Sequence, residues 1–404
     1  MRGRTSRPLR LLAIFSVGAA AFAGSAFGTS TTTSSSSFLP HSTSLNIEPL
    51  SFSFPSAQIG WALGVTPCTE KLSCLSLRET TDHGRSWSQR PLPSALVALA
   101  NRNTSGTVLY RDSGMKIHFA NKDDGWIFGL LRNGPIFWST HDGGRKWQRL
   151  STALMGSYGS IYDNESTGQT AFLLAQNKAF RVSLESSPVG RDDWRVLRAP
   201  TLNLPAGGAE PGGSIVLKGT TGWLVVGNDR GVSGSARLTH GSWVKWAPPC
   251  YSVGNSYVAP VAVTTRNLMV VCQMGGFASP LSKTAPPGAK LQSNWLYFSN
   301  NGGRTFTYGA ELHPNLQYDD LPAIPSPGVI VLGRILQDNT NNTDQIVRSV
   351  DEGRHWTVVY QGGWVFTLTF QSAQQGVAIV QRRNGTNSMI MTFDGGRHWA
   401  PVAL

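Results

Sequence analysis

Thr140 to Trp147 reads THDGGRKW, and Thr392 to Trp399 reads TFDGGRHW. Three further octapeptides obey the same rule, Ser/Thr-x-Asp/Asn-x-Gly-Arg-x-Trp/Phe: Thr80 to Trp87 (TTDHGRSW), Ser299 to Phe306 (SNNGGRTF) and Ser349 to Trp356 (SVDEGRHW). Their third positions, Asp82, Asp142, Asn301, Asp351 and Asp394, are separated by 60, 159, 50 and 43 residues. Because 159 is three steps of 53, two degenerate copies are expected between Asp142 and Asn301. Ser183 to Trp194, ending in RDDW, and Leu238 to Trp246, carrying HGSW, fill the two places.

A second motif gives the same count. A turn followed by an apolar strand recurs as GWALG at Gly60, GWIFG at Gly125, GWLVVG at Gly222, GVIVLG at Gly328 and GVAIV at Gly376, with weaker versions at Gly168 (GQTAFLLA) and Asn267 (NLMVVC). Each of the seven units reads as an inner strand, a turn, the GW-type strand, a variable loop, a third strand, the octapeptide hairpin and a fourth strand. In the first unit these are Leu50 to Phe54, Trp61 to Leu63, Leu75 to Thr80 and Trp87 to Pro91. With 44 Gly and 23 Pro the chain favours many short strands. A four-stranded sheet of about fifty residues cannot bury both faces alone, and radial stacking is the solution that covers them. The expected fold is therefore all-β: a seven-bladed β-propeller of four-stranded antiparallel blades over residues 44–404. How the ring closes does not follow from the sequence.

Within the octapeptide, the Asp or Asn side chain accepts hydrogen bonds from its own turn, Gly supplies positive φ and the aromatic packs into the blade. Asp82, Trp87, Asp142, Trp147, Asn301, Phe306, Asp351, Trp356, Asp394 and Trp399 are thus read as structural. The octapeptides resemble the Asp-box, or BNR, repeat of sialidases, sortilin-type receptors and photosystem II assembly factor-like secreted propellers. A GW-type strand followed by a T-x-D-G-G-x-x-W hairpin is most similar to the last group. The resemblance covers about residues 45–404 and implies the propeller architecture; function differs among these families.

The amino terminus reads separately. Met1 to Arg10 carries four arginines, Leu11 to Gly28 is uncharged and largely apolar, and small residues suit cleavage after Ala23 or Ala26. Residues 1–28 are expected to be a secretory signal peptide or, the stretch being just long enough, an uncleaved membrane anchor. The Ser/Thr-rich residues 29–43 read as a spacer. Cys68 with Cys74, and Cys250 with Cys272, are plausible disulfides, although four cysteines allow three connectivities. No zinc-type spacing occurs, and no cofactor or metal is expected. Both features point to a secreted or cell-surface protein.

The formal charge is +12, and setting aside Arg2, Arg4, Arg7 and Arg10 leaves +8, spread along the chain rather than gathered in a tract. Such a field favours acidic partners. Loops after the second and fourth strands surround the channel mouth, and basic residues follow the second strands: Arg132, Lys178, Arg230, Arg334, Arg382 and Arg383. Converging, they would form a collar for carboxylates, sulfates or acidic protein segments. Tyr110, His118, Tyr318 and Asp319 lie near the starts of inner strands and add candidate contacts. On the opposite rim Arg85, Arg145, Arg304, Arg354 and Arg397 occupy one octapeptide position. The polar Met274 to Asn294 segment reads as a long loop for which covering the mouth, contacting a partner and plain disorder are the three alternatives.

The expected function is a non-enzymatic extracytoplasmic recognition scaffold, monomeric, binding a protein or an anionic glycan and no nucleic acid. The alternative is a sialidase-like glycoside hydrolase. That resemblance would imply six blades, an F/Y-R-I-P motif, an arginine triad, a Tyr/Glu nucleophile pair and an Asp acid/base. No F/Y-R-I-P occurs, and Tyr110-Arg111-Asp112 and Tyr318-Asp319-Asp320 sit in no matching motif. G-x-S-x-G, H-E-x-x-H, Walker A and Cys-x-x-Cys sequences are also absent.

Overall fold

The computed structural model describes residues 47–69, 72–101, 114–131, 134–150, 158–177, 182–197, 202, 212–228, 231–249, 256–274, 294–312, 322–334, 344–382 and 384–404. The expected targeting segment and spacer lie outside them. So do Tyr110, Arg132, Lys178, Arg230, Cys250, Tyr318, Asp319 and Arg383.

Twenty-eight strands, β1 to β28 in chain order, form seven four-stranded antiparallel sheets. Blade 1 is Glu48–Ser53, Gly60–Thr69, Leu72–Thr80 and Ser88–Arg90; blade 2 is Lys116–Phe119, Gly125–Leu131, Gly134–Thr140 and Gln148–Arg149. Blade 3 is Tyr158–Ser166, Thr170–Asn177, Val182–Pro188 and Arg195–Val196; blade 4 is Gly212–Lys218, Thr221–Asn228, Gly231–Thr239 and Ser242–Lys245. Blade 5 is Ser256–Ala262, Leu268–Met274, Asn294–Ser299 and Thr307–Leu312; blade 6 is Ala323–Ser326, Val329–Arg334, Gln345–Ser349 and Thr357–Gln361. Blade 7 is Trp364–Phe370, Gly376–Gln381, Asn387–Thr392 and Ala400–Pro401. Among the described residues one helix, α1 (Ser94–Asn101), follows blade 1 and buries Leu96 against it. The seven-bladed propeller expected from the repeats is the fold.

The core is divided. Seven apolar clusters each lie between consecutive blades, not inside one. Trp61, Trp126 and Trp223, the aromatics of the GW-type strands, have no exposed surface. Trp61 of blade 1 stacks on Phe119 of blade 2, ring centroids 3.6 Å apart and 3° from parallel. Burying such a side chain is worth about 2–3 kcal/mol, and here the gain requires the neighbouring blade.

The octapeptide turns behave as their residue types require. In blade 2, Asp142 Oδ1 accepts from Thr140 Oγ1 (3.0 Å), Arg145 N (3.0 Å) and Lys146 N (2.8 Å), while Thr140 Oγ1 accepts from Gly144 N (2.9 Å). Gly143 and Gly144 hold φ of 73° and 82°, a region costly for a residue with a Cβ. Blades 1 and 6 place His83 (66°) and Glu352 (62°) at the first of these positions. The turn also docks on its own blade, with Gly143 N donating to Asp123 O at 2.8 Å; His83, Gly302, Glu352 and Gly395 repeat the bond. Trp147 Nε1 reaches Gly144 O of its own turn and Pro91 O of blade 1, both at 3.2 Å.

The two degenerate copies diverge differently. Blade 3 keeps an eight-residue connection from Ser187 to Trp194 but has Val189 where the Asp would stand. Blade 4 replaces the octapeptide with a two-residue hairpin, His240 (φ 49°) and Gly241 (76°), pairing Thr239 with Ser242. Two successive positive φ values suit the twist of a tight hairpin, so no side-chain acceptor is needed there.

Every blade is contiguous in sequence, so the ring closes without a shared sheet. Ile47 and Ala62 pack with Val377, Met389, Met391 and Leu404. Asn387 N donates to Glu48 Oε1, and Asn387 Nδ2 to Pro49 O, each at 3.0 Å.

Asp394 shows what the octapeptide contributes to stability. Burial opposes its ionisation, but hydrogen bonds from His398, Thr392 and the Arg397 amide outweigh it and hold the pKa down at about 2. A carboxylate depressed on folding stabilises above its unfolded value of 3.8 and ceases to as pH falls through about 2. Thermal melts should therefore show stability declining between about pH 4 and pH 2. Asp394→Ala should cost about 1–2 kcal/mol at neutral pH, whereas Asp394→Asn, the residue blade 5 already uses at Asn301, should cost far less. Equal loss in both variants would mean that the turn does not depend on the acceptor.

Candidate functional site

Side chains alternate along each inner strand (β1, β5, β9, β13, β17, β21 and β25) between the two faces of its blade, and the space these strands surround lies at the axis. A cavity of about 610 Å³ there is lined by all seven inner strands. A second, of about 440 Å³, shares Lys116, His118, Asp163 and Glu165 with it. A smaller cavity of about 190 Å³ opens between blades 5 and 6 beside their octapeptides, with Met269, Phe298 and Ile324 in its wall. The central cavity is the candidate site because it gathers titratable groups from three blades.

Its wall is two-sided. Blades 2 to 4 contribute Lys116, His118, Asp163, Glu165, Ser166 and Lys218, whereas blades 5 and 6 contribute Pro260, Val261, Ala262, Ala323 and Ile324. Blade 7 adds Thr367, Leu368 and Thr369. Alternation explains the polar side: Lys116 and His118 flank Ile117, which is buried in the seam, and Asp163 and Glu165 flank buried Asn164.

These groups are wired across the seams. His118 Nε2 lies 2.7 Å from Ser166 Oγ, and Lys116 Nζ donates to Tyr162 O at 3.3 Å. Asp163 Oδ2 accepts from Ile215 N of blade 4 at 2.9 Å, and its Oδ1 from Asn164 N at 3.0 Å. Burial pushes Glu165 up to about 8, helped by Asp163 and opposed by Lys116, Lys218 and the Ser166 amide. Burial likewise raises Asp163, against the pull of Lys116 and two amides. His118 is pushed down to about 4 by burial. Burial thus favours the protonated form of Glu165 and the neutral imidazole of His118, beside Lys116, Lys218 and Asp163 in the same wall. Such a surface donates hydrogen bonds more readily than it accepts them.

The His118–Ser166 contact has nucleophile–base geometry, but an imidazole held neutral down to about pH 4 is a weak base. The pair reads as a tie between blades 2 and 3.

A second group lies on the octapeptide rim of the same seam. His141 Nδ1 is 2.8 Å from Asp124 Oδ1 and its Nε2 3.1 Å from Asp192 Oδ2, which also accepts from Ser139 Oγ at 2.7 Å. Burial lowers the imidazole pKa, but the two aspartates outweigh it and the net shift is upward. No His, Cys, Asp and Glu grouping with metal-binding geometry occurs among the described residues.

Of the residues singled out in the sequence, His118 lies in the cavity wall. Arg334 ends β22 half-buried, and Arg382 follows β26, exposed. With the other four basic residues outside the described part, the collar is not assembled by what is described. Cys74 and Cys272 are disulfide-bonded, and Cys272 Sγ lies 3.4 Å from Pro249 O, beside position 250. Lys116, Asp163, Glu165, Ser166 and Lys218 were not singled out. Lys116 stands beside apolar Ile117, but Asp163 and Glu165 flank polar Asn164, so only part of the site carries an alternation of charged and apolar residues.

No protein-family profile matches the chain, and no curated protein matches it in sequence. Solved structures do resemble it. A polysaccharide lyase of family PL25, an ulvan lyase bound to -[GlcA(1-4)Rha3S]-, is 12% identical over 88% of this chain and 95% of its own, with a TM-score of 0.54. A puromycin-hydrolyzing peptidase of Mycobacterium tuberculosis is 11% identical over 88% of this chain and 52% of its own, with a TM-score of 0.56. YCF48 bound to a D1 peptide is 17% identical over 85% of this chain and 91% of its own, with a TM-score of 0.49. At these identities the likeness is one of fold.

The raised Glu165 pKa has a definite sign. A carboxyl whose folded pKa lies above its unfolded value of 4.5 gives stability that is complete below 4.5 and lost as pH rises through about 8. Glu165→Gln should therefore leave the melting temperature unchanged near pH 4 and raise it increasingly toward pH 9. His141 behaves similarly: its contribution is complete below the ordinary value of 6.5 and lost as pH rises through the higher folded value. An NMR titration of His141 with a midpoint at or below 6.5 would remove the two-aspartate clasp.

Proposed function

We propose that this protein is a non-enzymatic recognition scaffold outside the cytoplasm, binding a protein segment or an anionic glycan at the loop-rich end of the propeller and in the cavity beneath it. The observation that carries the reading is the two-sided wall of that cavity. Lys116, Lys218 and Glu165, whose pKa burial raises to about 8, stand on blades 2 to 4 across about 610 Å³ from apolar residues on blades 5 and 6. A ligand with acceptor groups along one edge and an apolar face opposite suits it, as do an acidic peptide side chain and a uronate ring. The basic residues Arg132, Lys178, Arg230, Arg334, Arg382 and Arg383, with Tyr110, Tyr318 and Asp319, are proposed to extend the contact at the mouth. Export through residues 1–28, disulfides Cys68–Cys74 and Cys250–Cys272, a monomeric state and kinship with photosystem II assembly factor-like secreted propellers belong to the same reading, which rests for these on the sequence pattern.

Glycoside hydrolysis is the second reading, supported by two neighbouring carboxyl groups, Asp163 and Glu165, whose pKa values burial raises. Asp163 spends both oxygens on backbone amides, which favours a structural role for it. The seven blades also depart from the six-bladed sialidase ring.

Glycan and peptide arrays probed with the purified protein at low and moderate salt test both readings. Salt-sensitive binding to acidic ligands, weakened about tenfold or more by Lys116→Ala with Lys218→Ala, is expected, with no turnover of any bound glycan. Turnover abolished by Glu165→Gln would establish the hydrolase instead, and binding indifferent to salt and to both lysines would remove the anion reading.

A further inference from the structure

The octapeptide arginines are equivalent in sequence and unequal in what they touch. Arg145 Nη1 folds back onto Asp142 O at 2.8 Å, Arg397 Nη1 onto Asp394 O at 2.6 Å, and Arg354 lies 3.6 Å from Glu352. Among the described residues Arg304 of blade 5, like Arg85 of blade 1, makes no such contact. The third residue of its turn is Asn301, the one neutral member of the five. Asn301 Oδ1 is fully engaged by Ser299 Oγ, Arg304 N and Thr305 N, and its Nδ2 donates to Thr305 Oγ1 at 2.7 Å.

Two further arginines stand beside that turn, Arg237 through its guanidinium and Arg266 through its backbone. Gly302 N donates to Arg266 O at 2.8 Å, which fixes the backbone of exposed Arg266 at the turn's flank. Arg237, from β15 of blade 4, runs beneath it, because a Cβ built on Gly302 would lie 2.9 Å from Arg237 Nη2. Blades 6 and 7 supply an internal comparison. There Arg348 reaches under the next turn in the same way, but its Nε donates to Gly395 O at 2.9 Å, and the Asp394 carboxylate offsets the repulsion of Arg397. In the blade 4–5 seam, Arg237 Nε is buried with no hydrogen-bond partner among the described residues. Burial and Arg304 together lower the Arg237 pKa, with no carboxylate opposing them. Blade 4 has no octapeptide and hence no aspartate of its own to lend. Among the described residues, none of Arg237, Arg266 and Arg304 is in an ion pair.

Three arginines flank one turn, two of them, Arg237 and Arg304, close enough to repel each other and one of these with a buried orphan donor, and they lack the counter-charge that the equivalent seam contains. We propose that Arg237, Arg266 and Arg304 bind a tetrahedral oxyanion, a sulfate or phosphate group, on the octapeptide rim between blades 4 and 5. Guanidinium forks match two oxygens of such a group at a time, and partial burial strengthens each contact relative to water. The site lies at the rim opposite the loop-rich end and stands independently of the ligand proposed there. A sulfate ester of a polysaccharide and the phosphate of a lipid headgroup share this chemistry.

The test is calorimetric titration of the full chain with sodium sulfate against sodium chloride at matched ionic strength, and again with inorganic phosphate. Saturable binding of either anion by the unaltered protein is expected. Arg304→Gln should weaken it tenfold or more. Asn301→Asp should do the same while leaving the melting temperature in chloride unchanged, since four other turns already fold with Asp there. Arg397→Gln, at the equivalent position of blade 7, should have no effect. Displacement of sulfate by a sulfated disaccharide assigns the site to sugar sulfates, and displacement by phosphatidylglycerol vesicles assigns it to lipid phosphate. No saturable response in the unaltered protein, or a response that survives both Asn301→Asp and Arg304→Gln, overturns the proposal.

Discussion

A four-stranded blade in this protein has two apolar faces and can cover neither by itself. All seven buried clusters sit between blades, so the free energy of burial is collected only when neighbours meet. The rest of the design answers that constraint. Aromatics cross the seams, as Trp61 does onto Phe119, and the octapeptide Trp147 ties its own turn to the preceding blade through Pro91. A turn rigid enough to hold its aromatic at the seam is what the Thr–Asp–Gly hydrogen bonds provide.

The same arrangement leaves each inner strand with an unpaired edge facing its neighbour. Buried backbone amides need acceptors, and side chains supply them. Ser51 and Ser53 of blade 1 accept from Ile117 N and Phe119 N of blade 2, and Asp163 of blade 3 accepts from Ile215 N of blade 4. The charged wall of the channel therefore has a double origin. Asp163 is placed by the need to satisfy a strand edge, and its charge in turn raises Glu165, two residues along the same strand.

How much of this was legible in the sequence follows from which interactions are local. The octapeptide turns are local, five residues deciding a backbone path, and so their spacing revealed seven units even where blades 3 and 4 had lost the signature. The GW-type strands were legible for the same reason. The channel site was not, because Lys116, Glu165 and Lys218 come from three blades and meet only once the ring is formed. Position in the repeat was also a poor guide to contact: Arg145, Arg304, Arg354 and Arg397 share a register, yet their environments differ through residues as distant as Arg237 and Arg266. The basic collar was inferred from loop positions, and only Arg334 and Arg382 of its members fall among the described residues.

Glu48 and Pro49 meet Asn387 through two hydrogen bonds, and Ile47 and Leu404 share one apolar cluster. Six seams join blades already strung together by the chain; the seventh joins blades 1 and 7, between which no described segment of chain passes. Thermodynamically it resembles the other six, but topologically it is the one place where the ring parts without stretching a loop. Blade order along the chain is thus arbitrary with respect to the circle. A permuted chain, joined from Leu404 to Ile47 and cut between any other two blades, would keep every strand pair and merely move the parting line around the axis.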